Sequence, residues 1–387
     1  MLRITRGEES KLTSWYFEID KTLLKMIFGL MFVGLLVLLS AGSADAIRLG
    51  HPWYFFIKKA FLPYTVGLMS LFVCSIMNKK QIIKLSFVGI VVFIAFLFLT
   101  IVPNPLRVVM NGSNRWIKLF GSTFMPSDFL KPFFIMVTAW FLSKTKKLYG
   151  SDIFFNKDAW NIKKLGWIPY LVVFLVCVLI MVLQPDFGTS LLYIGVLGVM
   201  LFVAGFPIKF LPWVFGVVGG FATLAIVFLP QLSHIRDRMG GVFHIAEKTQ
   251  AWYSVNAIRN GGLFGSGDKA FVKYVLPEAT NDFVFASIAE DVGALVACCL
   301  IVLLFLVFKQ LIKHATFARD DFVVYAVSGA AALFGIQVCF NLMTALHLFI
   351  NKGMTLPFVS YGGISFIVFC ILFGMVLAIT REDTWNK

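Results

Sequence analysis

Apolar positions in this chain fall in long blocks. Runs long enough to span a bilayer, or nearly so, lie at about 23–41, 55–77, 84–102, 129–143, 166–183, 189–204, 210–229, 283–308, 322–348 and 358–379. An α-helix rises 1.5 Å per residue, so about 20 apolar residues cross the ~30 Å hydrocarbon core. In lipid, backbone groups must pair within their own segment, which makes each run a helix. The pattern predicts an all-α polytopic membrane protein of about ten transmembrane helices. The fourth is the shortest and is entered at Pro126-Ser127-Asp128, a helix-start signal. The chain divides into a tail at 1–22, one membrane domain at 23–379 and a tail at 380–387. A large loop at 230–282 separates the seventh and eighth helices, and no internal repeat is visible.

Lys and Arg set the orientation. With a cytoplasmic N-terminus, the inner loops collect Arg3, Arg6, Lys11, Lys79, Lys80, Lys84, the lysines of 144–164, Lys209, Lys313, Arg319 and Arg381. That bias is what short cytoplasmic loops carry. Ten spans return the C-terminus to the same side and put the 230–282 loop outside. The 144–164 segment reads either as a membrane-surface stretch, through Phe154, Phe155 and Trp160, or as a plain linker. Ala44-Asp45-Ala46 resembles a cleavage site, but the polar lead is long and the run can span, so it reads as an uncleaved first helix.

Composition sharpens the class. The chain is 59% hydrophobic and 14% charged, with 43 Phe, and its mean hydropathy is +0.87. The net charge of +14 belongs to basic loops that hold topology and meet anionic lipid, not to a nucleic-acid-binding module. Cys74, Cys177, Cys298, Cys299, Cys339 and Cys370 all sit in apolar runs without metal-ligand spacing, and read as free thiols acting as small buried hydrophobes. The five histidines form no clear metal set.

The outer side carries cations that oppose the topology signal. The 103–127 loop holds Arg107, Arg115 and Lys118; the 230–282 loop holds Arg236, Arg238, Lys248, Arg259, Lys269 and Lys273; Lys352 adds another. They contact lipid headgroups, or they line a site for an anionic ligand such as a lipid-linked phosphate. Three acids stand beside them in NDFVFASIAEDVG at 281–293. Asp282 opens the eighth helix, where an acid caps the N-terminus or favours the dipole. Glu290 and Asp291 lie roughly 12–14 Å further along. Acids at that depth call for buried hydrogen bonds or ion pairs, or a part in proton or substrate handling.

Five segments carry a resemblance: NGSNRWIKLFGSTFMPSDFLK at 111–131, QPDFGTSLL at 184–192, GGLFGSG at 261–267, LPEATNDFVFASIAEDVG at 276–293 and KGMTLPFVSYGGISF at 352–366. In this order, the chain resembles the SEDS family (shape, elongation, division and sporulation) over about residues 20–380, its division branch more than its elongation branch. The resemblance implies a peptidoglycan glycosyltransferase. Such a protein polymerises lipid II, an undecaprenyl-diphosphate-linked disaccharide-peptide, on the outer face of the bacterial cytoplasmic membrane during division. Its implied partners are a class B penicillin-binding protein, other division proteins and membrane lipids.

Glycosyl transfer needs a base for the attacking hydroxyl and cations for the departing diphosphate. The resemblance puts the base at Asp282, a role compatible with a cap. It puts Arg115, Lys131, Arg236, Arg238 and Lys352 as diphosphate candidates, Arg being suited to bidentate phosphate contact. Arg115 equally fits a headgroup anchor, and Lys131 equally fits a self-neutralising i,i+3 pair with Asp128. Gln184 and Asp186 frame a break at Pro185, where Asp186 also reads as a cap. Pro357, Ser360, Tyr361, Gly362 and Gly363 open the last helix and let helices approach closely. Gln250 and Glu278 complete the supporting set.

The chain departs from the family's usual pattern at Thr280-Asn281, Tyr253 and Ile364. GGLFGSG lacks the Lys-Ser/Thr of a nucleotide loop. No cofactor is certain; a divalent cation, Mg or Mn, could be shared by Asp282 and the diphosphate. A lipid II flippase, an elongation-type polymerase and a catalytically weak division scaffold are the alternatives.

Overall fold

The computed structural model describes residues 11–110, 113–119, 121–150, 167–184, 186–207, 249–349 and 353–385, with isolated positions 209, 216 and 220. The predicted run 210–229, most of the first half of the outer loop and the 151–166 segment lie outside the described residues.

A short helix α1 (Lys11–Glu18) leads into α2 (Lys21–Val37), capped by Asp20, whose carboxylate accepts from the Thr22 and Leu23 N–H groups. One π-helical turn at Leu38–Gly42 joins α2 to α3 (Ser43–Arg48), so the first run continues past its predicted end. A short turn at Met77-Asn78 joins α4 (Phe55–Ile76) to α5 (Lys79–Leu99), and there Gln81 accepts from the Asn78 N–H at 2.9 Å; α4 packs on the last helix of the chain and α5 on the helix that follows it. Next come β1 (Arg107–Met110), β2 (Ser113–Leu119) and β3 (Ser122–Phe124), an antiparallel sheet in that order with Val108 opposite Trp116 and Ile117 opposite Phe124. This small sheet folds the 103–127 segment within an otherwise helical molecule. Helices α6 (Pro126–Tyr149), α7 (Trp167–Leu183) and α8 (Phe187–Val203) follow. The chain closes with α9 (Gln250–Gly261), α10 (Val284–Phe317), α11 (Asp321–Ala345) and α12 (Gly363–Trp385).

Among the described residues, six helices are long and apolar enough to cross a membrane, and Tyr170–Leu183 and Phe187–Val203 are shorter apolar helices. The molecule is a multi-pass membrane protein. Burial separates centre from rim. The apolar windows of α11 and α12 are 78% and 72% buried, against 28% for α4, α5 and α10. Helix α6 packs among α5, α11 and α12 and buries nearly every residue from Leu130 to Ala139. An interior helix can carry Lys131, Thr138 and Ser143 because neighbouring groups, not lipid, surround them.

Residues 380–385 continue α12, with Thr380 and Arg381 buried and Arg381 reaching Ile76 O at 3.4 Å and Glu18 at 3.6 Å. The reading of all six cysteines as buried is corrected. Cys298, Cys299 and Cys339 are exposed on α10 and α11, while Cys74, Cys177 and Cys370 are buried. In hydrocarbon an outward thiol meets an environment as apolar as the core, so the sequence does not tell the two faces apart.

Candidate active site

The stretch before α10 is a tight turn. Glu278 takes a left-handed φ of 60°, and its carbonyl accepts from the N–H groups of Asn281 at 3.0 Å and Phe283 at 3.3 Å. Leu276, Ala279 and Phe283 bury against Ala257 of α9, which seats the turn. Three successive carbonyls of the turn are then taken by other parts of the chain. The Tyr361 N–H donates to Thr280 O at 2.9 Å, Ser360 Oγ to Asn281 O at 2.6 Å, and Asn341 Nδ2 to Asp282 O at 3.1 Å. The side chains are fixed as well: Thr280 Oγ1 donates to Asp45 Oδ2 at 3.1 Å, and Asn281 Nδ2 to Glu278 Oε2 at 2.5 Å.

The Asp282 carboxylate is the exception. Among the described residues it has no hydrogen-bond or ion-pair partner, and it does not cap α10, whose N-cap position is Phe283. It is half-buried. Burial, with the charge of Glu278 adding, pushes its carboxyl up to about 7. The chain passes close by at Gly353, where a Cβ would stand 3.4 Å from Asp282 Oδ2, at a φ of +68° that favours glycine.

The 353–362 segment, which passes Asp282 at Gly353, is held from α11 and α12. Asn341 Nδ2 donates to Met354 O at 2.7 Å as well as to Asp282 O, and Gln337 Nε2 donates to Thr355 O at 3.0 Å. Thr355 Oγ1 meets Ser365 Oγ at 2.7 Å, and the Leu356 N–H donates to Ser360 Oγ at 2.8 Å. Pro357 and Ser360 are buried, Tyr361 packs edge-on to Phe56 at 5.3 Å, and Gly362 and Gly363 lie against Thr355 and Pro63.

Glu290 and Asp291 hold the segment that precedes the Asp282 turn. Glu290 accepts from the N–H groups of Phe271 at 3.3 Å and Val272 at 3.0 Å. Asp291 pairs with Lys273 at 2.8 Å and accepts from Ser40 Oγ at 2.5 Å, on the π-helical turn. Two residues later α10 breaks at Gly293, whose φ is 90°. The GGLFGSG loop fills the break: Ser266 N–H donates to Glu290 O, Ala294 N–H to Gly262 O and Leu295 N–H to Leu263 O.

A second polar group lies around the α7–α8 break. Arg115 on β2 pairs with Asp186 at 3.4 Å and donates from Nε to Gln184 O at 3.2 Å. Gln184, buried, donates to Thr100 Oγ1. Lys131, 7% exposed, pairs with Asp128 at 2.6 Å, and Tyr193 donates to Ser127 O at 2.7 Å. Neither Arg115 nor Lys131 contacts the Asp282 carboxylate by a hydrogen bond or ion pair. Gln250 opens α9 behind its Thr249 cap. Arg236, Arg238, Lys352 and Pro185 lie outside the described residues.

Among the described residues, no group of three or more His, Cys, Asp or Glu side chains is placed to hold a metal. One free carboxylate offers too few donors for Mg or Mn by itself. Such a cation fits only when substrate phosphates supply the remaining oxygens.

Residues not singled out from sequence do much of the positioning: Asn341, Gln337, Asp45 and Thr355. A signal for two of them was present, since Gln337 and Asn341 stand at i,i+4 on one face of a helix inside an apolar run.

Comparison with known proteins gives a consistent picture. The profile of a family described as "Cell cycle protein", covering FtsW, RodA and SpoVE, matches residues 21–384. A protein of Caulobacter vibrioides named "Probable peptidoglycan glycosyltransferase FtsW" is 27% identical over 383 residues, covering 97% of this chain and 93% of its own. Stage V sporulation protein E of Bacillus subtilis is 29% identical over 368 residues, covering 92% and 95%. Among solved structures, a chain from a study of how a peptidoglycan synthase complex coordinates polymerization and crosslinking superposes with a TM-score of 0.71 at 24% identity, covering 94% of this chain and 98% of that one. The rod shape determining protein RodA of Thermus thermophilus superposes at 0.66 with 24% identity, covering 94% and 97%. At that identity the likeness is one of fold.

Proposed function

Because the chain belongs to the cell cycle protein family of FtsW, RodA and SpoVE, we propose that it is a peptidoglycan glycosyltransferase that polymerises lipid II at the outer face of the cytoplasmic membrane. The relatives' names support the activity. The observation that carries the mechanism is a carboxylate on a pinned turn: the carbonyls of 280–282 are each bonded, and the Asp282 side chain has no partner among the described residues. Such a group can receive a proton without reorganising its surroundings.

In the proposed step, an Asp282 oxygen takes the proton of the acceptor sugar hydroxyl. The hydroxyl oxygen bonds to the donor's anomeric carbon from the face opposite the leaving group. The bond from that carbon to the diphosphate oxygen breaks, and the undecaprenyl diphosphate departs with the electron pair. Arg115 and Lys131 help hold diphosphate charge, each exchanging part of its pairing with Asp186 or Asp128 for phosphate oxygens. Arg236, Arg238 and Lys352 complete that cationic set. A divalent cation would enter with the substrate phosphates and add charge neutralisation. The implied partner is a class B penicillin-binding protein at the division site.

The test supplies lipid II to the purified chain in liposomes, with and without the transpeptidase, and resolves the products on a gel. Glycan polymer is the expected result. Substrate moved across the bilayer without any new glycosidic bond would replace this reading with a transporter.

A further inference from the structure

Helix α1 has two unlike sides. Trp15 faces inward: its indole N–H donates to Ser75 Oγ at 3.0 Å and its ring meets Phe72 edge-on at 5.2 Å, both on α4. Ile19, just past the helix, is 4% exposed in the main core. Glu18 reaches Arg381 of α12. The helix is thus docked at the inner ends of α4 and α12. Yet the two residues between Trp15 and Glu18 turn outward, Tyr16 56% and Phe17 70% exposed. Lys21 Nζ sits 4.5 Å over the Tyr16 ring and 5.4 Å from that of Phe17, which gathers two aromatics and a cation into one patch.

Charge decides what covers this patch. Lys21 and Lys25 are exposed, as is Lys80 in the first turn of α5. Among the described residues the nearby carboxylates are already engaged: Glu18 by Arg381, and Asp20 by Gln310 at 2.6 Å and His314 at 2.5 Å. The surplus is positive. Exposed aromatics rimmed by lysine, at the mouth of a transmembrane helix, suit the headgroup level of an anionic leaflet.

We propose that α1 is an interfacial anchor that binds the anionic lipid surface of the inner leaflet, with Tyr16 and Phe17 inserted at headgroup depth and Lys21 and Lys25 on the phosphates. Trp15 and Glu18 couple the anchor to α4 and α12, so lipid composition bears on the packing of the inner half of the bundle.

Hydrogen–deuterium exchange of the full chain tests this in nanodiscs of phosphatidylcholine alone and of phosphatidylcholine mixed with phosphatidylglycerol. The amides of residues 13–18 should exchange about 25-fold more slowly with phosphatidylglycerol at low salt, each of the two lysines near an anionic surface strengthening contact about fivefold. High salt and the double variant Lys21→Gln/Lys25→Gln should each erase the difference. Tyr16→Ser/Phe17→Ser should speed exchange in both lipids. Amides of α11 report that the bundle stays folded; if a variant unfolds α11, the wild-type chain's response to lipid and salt still decides. Exchange at 13–18 that ignores phosphatidylglycerol, or protection that appears only when a protein partner is added, overturns the proposal.

Discussion

Among the described residues Asp282 is held by its backbone and left free at its side chain, and both halves can be measured. A base must be ionised, and burial with the Glu278 charge pushes this carboxyl from 3.8 up to about 7. Polymerisation should therefore rise between about pH 6 and about pH 8, half-maximal near the carboxyl's own value. Glu278→Gln removes the like charge and should move that midpoint down. Stability runs the other way. A carboxyl raised on folding stabilises fully below its unfolded value and loses that contribution as pH climbs through about 7. Asp282→Asn should thus melt no lower than wild type above neutral pH, as thermal unfolding in detergent would reveal. Asn341→Ala strips hydrogen bonds from the Asp282 and Met354 carbonyls. It should cost about 1–3 kcal/mol of stability and at least roughly tenfold in rate, with the two carbonyls left unpaired. The sequence pointed to Asp282 through its motif. It named Ser360 and carried a signal at Asn341, but not what they touch, because Asn341, Ser360 and Asp45 meet the turn across 59, 79 and 235 residues of chain.

Among the elements, α10 departs most from its reading as one uninterrupted helix. The apolar run is continuous, so nothing in its periodicity marks the break at Gly293. The cause is another segment: the GGLFGSG loop enters and takes over the hydrogen bonds that the helix gives up. A Cβ at Gly293 would stand 2.3 Å from Leu263 O at a φ of +90°, and one at Gly265 2.3 Å from Asp291 O. Gly293→Ala should destabilise by more than about 2 kcal/mol, combining backbone strain with a clash. Gly121→Ala has a similar φ of +80° but open space around it. It should cost only the strain, about 1–2 kcal/mol. Paired thermal melts separate the two. Helix α6 teaches a related lesson. Its run was legible as the shortest, yet the helix extends to 126–149 at the centre of the bundle, where polar residues find partners that a hydropathy pattern cannot display. The β1–β3 sheet was hidden for the opposite reason: its strands are short and lack clean alternation.

Across the whole molecule, the helix ends on the side of α1 are tied by a few charged contacts. Asp20 joins the start of α2 to the end of α10 through Gln310 and His314. Lys79 meets Asp320, Lys146 meets Asp321, and the Asp383 carboxylate accepts from the Arg319 and Asp320 N–H groups. Burial alone would raise the Asp20 carboxyl, but hydrogen bonds from His314, Gln310 and Leu23 outweigh it and hold it well below the usual range. A lowered carboxyl stabilises above its unfolded value and loses this as pH falls. Asp20→Asn should melt below wild type at neutral pH, with the gap closing as pH drops under 3.8. The overall plan was readable because lipid imposes long apolar runs on a spanning chain. The joining of distant loops around Asp282 was not, because hydrogen bonds between carbonyls and amides leave little trace in residue type. Glycan synthesis by the reconstituted chain and its Asp282→Asn variant, compared on one gel with lipid II, tests the assignment most directly. Long glycan from wild type and none from a folded variant that still binds substrate is the predicted result. Polymer of equal length and yield from both would contradict it and remove Asp282 from the chemistry.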